Sequence, residues 1–67
     1  MDPLTHKRFL DYREKFVYFG RSGMVILGAA EFSAAEAEHR ALLAKGDARD
    51  DEEEARLEEL AHILFLD

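Results

Sequence analysis

The stretch FVYFGRSGMVILG, residues 16–28, decides how this chain folds. Two apolar runs, Phe16 to Phe19 and Met24 to Leu27, flank Gly20-Arg21-Ser22-Gly23. Such a pattern suits a short β-hairpin at about 15–28, which makes the chain α+β, or the end of one helix and the start of another. An isolated two-stranded hairpin is marginal in water, and both faces of this one are apolar instead of alternating. The helical reading runs further. Val25, Gly28, Phe32, Ala35, His39 and Leu42 recur at spacings of three and four, which predicts one helix from about Ser22 to Lys45 with Ser22 as its cap. Ser33-Ala34-Ala35-Glu36, preceded by Phe32, is a capping-box pattern that competes as a later start near residue 34.

Upstream, Asp2-Pro3 reads as an N-cap followed by proline at the first helical position. Phe9, Tyr12, Phe16 and Phe19 then form one helical stripe up to Gly20, predicting a helix over 3–19. Downstream, Lys45-Gly46 closes the middle helix, with a base in the last turn and glycine free for a positive φ. Asp50 caps a third helix over about 50–66, where Asp51 to Glu54 meet the positive end of the helix dipole. Leu57, Leu60, Ala61 and Leu64 supply its stripe. The expected fold is all-α, a helical hairpin or three-helix unit completed by oligomerisation, in a single domain over 1–67.

At 67 residues with no cysteine, the chain has neither a second core nor a disulfide to lean on. Chains this short bury only about 60% of their unfolded surface and usually need a staple or a partner. Large apolar side chains are nevertheless plentiful, more than three short helices can enclose. Phe16, Phe19, Met24, Val25, Ile26 and Leu27 make one candidate interface, and Leu64, Phe65 and Leu66 another. The opening Met1-Asp2-Pro3 has no basic, apolar leader pattern. The run from Met24 to Ala30 is far short of the roughly 20 apolar residues of a membrane span. A cytoplasmic protein without a membrane segment is expected.

The net charge of −6 is unevenly spread: residues 1–30 carry five bases against three acids, residues 31–67 four bases against twelve acids. The halves should attract, within one molecule or between copies. An acidic whole disfavours nucleic acid as a partner, even with the aromatic stripe of the first helix beside Lys7, Arg8, Arg13 and Lys15.

Chemistry-bearing motifs are few. Ser22, Ser33 and Thr5 lack the strand-turn-helix setting of a nucleophile elbow. Gly20 to Gly23 lacks the lysine of a phosphate-binding loop. The remaining constellation is a repeated Glu-x-x-His, Glu36 with His39 and Glu59 with His62, a spacing that four-helix di-iron proteins use. In an antiparallel hairpin turning near residue 48, position 36 lies level with 60 and 39 with 57, so a dimer could gather these groups around iron or another divalent metal. Against that, Glu59 and His62 fall off the Leu57–Leu64 stripe, and His39 fits the inner stripe of its own helix as a partly buried histidine. The leading expectation is a non-enzymatic, self-associating interaction module, adaptor or regulator, with no cofactor. The alternatives are a carboxylate–histidine metalloprotein of ferritin-like type, and an acidic regulator covering the basic surface of a DNA-binding protein.

Overall fold

The structure, a computed structural model, describes residues 2–20 and 23–66. It is all-helical: α1 (Pro3–Phe19), α2 (Ala29–Lys45), a short 3-10 turn (Gly46–Ala48) and α3 (Asp51–Ile63), with no strand among the described residues.

Local chemistry sets most boundaries. The Asp2 carboxylate accepts from the Thr5 amide at 2.8 Å and from the Thr5 hydroxyl at 3.1 Å, satisfying one of the free amides of the first turn. Gly20 closes α1 through its amide to the Phe16 carbonyl at 2.8 Å; a Cβ there would stand 2.4 Å from the same carbonyl oxygen. Gly46 ends α2 at φ 54 and ψ −127, a conformation that favours glycine. Arg49 then reaches back, its Nη1 donating to the Leu42 carbonyl at 2.9 Å and occupying one of the orphan acceptors of the last turn. Asp50 opens α3 with a full capping box: its carboxylate accepts from the Glu53 amide at 2.8 Å, and Glu53 accepts from the Asp50 amide at 3.3 Å.

Two expected boundaries are corrected. α2 begins at Ala29, not at Ser22, and residues 24–28 are neither helix nor hairpin strand; Arg21 and Ser22 themselves lie outside the described residues. Gly23, at φ 88, breaks the helical path, and Gly28 takes the N-cap position in extended conformation. Leu27 at N′ packs against the cluster that holds Phe32 at N4, the arrangement of a hydrophobic staple. Ser33 is therefore an interior helix residue and its capping box goes unused. The second correction is at the C-terminus. α3 stops at Ile63 because Phe65 adopts φ 59. The Leu66 amide donates to the Ala61 carbonyl at 2.8 Å and the Phe65 amide to the His62 carbonyl at 3.3 Å, a Schellman closure with phenylalanine where glycine is usual.

α2 is the central element, with α1 on one side and α3 antiparallel to it on the other. Glu38 meets Arg56 and Lys45 meets Glu53, close to the hairpin register expected from the sequence. The core is aromatic at one end and aliphatic at the other. Tyr12, Phe32 and Leu64 are buried together, with the Tyr12 and Phe32 rings 5.2 Å apart, while Leu42 and Leu60 are buried on the hairpin. The molecule is a slab of 34 × 30 × 16 Å. Its radius of gyration, 12.4 Å, exceeds the roughly 11 Å of a compact chain of this length. One consequence is direct: three helices in so thin an arrangement leave large apolar surface uncovered.

Candidate functional site

Two features stand out on the surface, an apolar overhang and a charged cleft. The overhang arises because α1 is longer than its packing partner needs. Phe32, near the start of α2, lies against Phe9 and Tyr12, so the last turn of α1 projects past it. Val17, Tyr18 and Phe19 are consequently exposed, at 78%, 74% and 65%. The extended segment returns along these turns, because Leu27 is bonded to the Tyr12 hydroxyl, and it adds Val25 at 82% and Ile26 at 41%.

The residues expected at an interface divide accordingly. Phe19, Val25, Ile26 and Leu66 are exposed, and Phe16, Met24 and Leu27 are half-buried. Leu64 is buried, and Phe65 packs on Tyr12 and Phe16 at 5.9 and 6.1 Å between ring centroids. Those two pack within the molecule, because the left-handed turn at Phe65 folds them back onto α1, and of the three residues expected at a second seam Leu66 alone is exposed. Val17 and Tyr18 were overlooked. The signal was present, since both are large apolar positions off the Phe9–Phe19 stripe and so point away from the core.

The cleft, of about 250 Å³, lies between α1 and α2. Tyr12, Phe32, Leu43, Leu64 and Leu66 give it apolar walls, and Arg8, Asp11, Lys15, Glu36, His39 and Arg40 ring it. Glu36 is the joint. Its side chain is only 12% exposed, and Oε1 accepts from Arg8 at 2.5 Å and from Arg40 at 2.8 Å. Here the basic first half of the chain meets the acidic second half within one molecule. The other oxygen, Oε2, is buried with no hydrogen-bond partner among the described residues.

Within the single chain the repeated Glu-x-x-His does not come together. Glu36 is held by two arginines, Glu59 accepts from Arg56, and His62 and Glu59 sit on the outward face of α3. No group of three or more metal-ligating side chains exists among the described residues. Elsewhere, Arg56 grips Glu38 with two nitrogens at 2.7 and 2.9 Å and holds its carboxyl below the usual range. The same contact, with a smaller share from Glu59, raises the Arg56 guanidinium. Glu53 is likewise lowered, first by Lys45 and then by the Asp50 amide.

What the fold defines is a three-helix unit around an aromatic core, without a helix long and apolar enough to cross a membrane among the described residues. Compared with protein-family models, curated proteins and solved structures, the chain matches none.

Proposed function

We propose that this protein is a non-enzymatic interaction module, an adaptor or regulator in the cytoplasm, that self-associates through the overhang. The carrying observation is the concentration of Val17, Tyr18, Phe19, Val25 and Ile26 at one end of the molecule, all exposed. Apolar patches rimmed by polar residues mark contact surfaces, and a helix end projecting past its partner is a ready knob for a second copy. Absence of cysteine suits a reducing compartment.

Sedimentation equilibrium at micromolar concentration tests this. A dimer or larger species is expected for the native chain, and Val25→Glu should shift it to monomer while leaving the helical signal intact, because Val25 touches little of its own molecule. A well-folded native monomer that binds no hydrophobic dye overturns the reading.

A second reading has its own observation. The outward face of α3 carries Asp51, Glu52, Glu58 and Glu59, all exposed, with only Glu59 in an ion pair among the described residues. That face suits a basic protein surface, such as that of a DNA-binding partner. Its binding should weaken steeply as salt rises, whereas association through the overhang should not.

A further inference from the structure

We propose that two copies of this chain pair antiparallel through the outward face of α1, with Lys7 of each copy bonded to Glu14 of the other. This pairing rests on self-association of the chain and specifies which helix pairs and in which direction. α1 is bare along the side that faces away from α2. Phe9, Tyr12 and Phe16 face the core, and Arg8 reaches Glu36 on α2. On the opposite side Leu10 is 49% exposed, and Val17 and Tyr18 are exposed beyond it. Leu4, in the first turn, is 58% exposed.

Leu10 and Val17 are seven residues apart, as are Lys7 and Glu14. Seven residues are almost two helical turns, so each pair lies along one line of the helix surface. Glu14 stands four residues after Leu10 and three before Val17, which makes the two lines neighbours. All four side chains are exposed, and neither Lys7 nor Glu14 enters an ion pair among the described residues. An apolar row flanked by free charges of both signs is the layout of a helix–helix seam.

The charges choose the direction. In an in-register parallel pair, Lys7 meets Lys7 of the second copy and Glu14 meets Glu14, and both contacts repel. In an antiparallel pair with Lys7 level with Glu14 of the second copy, the contact attracts, and the two-fold axis makes it twice. The same register brings the two Leu10 side chains together at the axis. It also sets Val17 and Tyr18 of each copy over Pro3 and Leu4 of the other, so the projecting end of α1 gains a partner. Neighbouring charges are directed elsewhere: Asp11 lines the cleft, and Arg13 stands over the Phe9 ring at 5.8 Å.

Sedimentation equilibrium of charge-reversal variants of the full chain, at micromolar concentration, tests the pairing. Lys7→Glu and Glu14→Lys should each weaken the dimer by about tenfold, since each turns two attractive contacts into repulsive ones. The double variant should regain native affinity, and an equal mixture of the two single variants should form a mixed dimer as tight as the native one. Neither reversal opposes the helix dipole and both side chains are exposed, so the helical circular dichroism of each variant should match that of the native chain. A native dimer that both single reversals leave unchanged overturns the antiparallel pairing. Association through the overhang then still stands if Val25→Glu yields monomer. A double variant as weak as either single one also overturns the pairing, and a monomeric native chain overturns both readings.

Discussion

The Leu27 amide donates a hydrogen bond of 3.1 Å to the Tyr12 hydroxyl, tying the extended segment between α1 and α2 to the middle of α1. Tyr12 is 3% exposed and its ring faces Phe9, Phe16, Phe32 and Phe65. One side chain thus anchors the connection through its oxygen and the core through its ring.

Tyr12→Phe separates these roles. The ring stays and the acceptor goes, so a cost of about 1–3 kcal/mol is expected, set by the buried amide left without a partner. Hydrogen exchange should quicken at Leu27 more than at Phe32. Equal quickening at both sites argues that the hydroxyl anchors nothing in particular.

Phe65 at φ 59 offers a comparison of two truncations. Phe65→Ala loses the ring contacts and keeps a left-handed residue with a Cβ, which costs roughly 1–2 kcal/mol. Phe65→Gly loses the same contacts and relieves that strain, at a smaller cost in unfolded-chain entropy. The glycine variant should be the more stable of the two by up to about 1 kcal/mol in urea unfolding. The reverse order speaks against a left-handed turn at this position.

Gly46, at φ 54 and ψ −127, has no heavy atom within 4 Å of where a Cβ would stand. Gly46→Ala therefore creates no clash, and its whole effect is backbone strain, on the order of 1–3 kcal/mol. A melting temperature unmoved by this change contradicts the glycine requirement.

Acid should destabilise the hairpin through Glu38 and Glu53. Both carboxyls are lowered from the ordinary value of 4.5 by Arg56 and Lys45 respectively. A depressed folded pKa means that the stabilisation is present above pH 4.5 and is lost as pH falls through the lower folded values. Both groups are at the surface, so the effect is small and salt-sensitive. The double variant Glu38→Gln, Glu53→Gln should flatten the stability curve below pH 4.5; an unchanged slope there removes these pairs from the account.

How legible was the candidate site? The exposure of Phe19, Val25 and Ile26 was readable as apolar excess in a short chain. The burial of Leu64 and Phe65 was not, because it depends on a left-handed phenylalanine, which no local pattern announces. The orphan oxygen of Glu36 was hidden too. Spacing tied Glu36 to His39 as a ligand pair, but Arg8, twenty-eight positions away, claimed it across the helix interface.

Sequence alone determined the three helices and four of their ends. Asp2-Pro3, Gly20, Lys45-Gly46 and the Asp50 cap act between residues a few positions apart, so their chemistry is complete within the local chain. Tertiary structure alone decided residues 24–28. An apolar run between two glycines satisfies the periodicity of strand and helix alike, and local preferences leave the choice open. The deciding interactions are the Tyr12 hydroxyl on the Leu27 amide and the packing of Leu27 beside Phe32, and neither exists until α1 and α2 have come together.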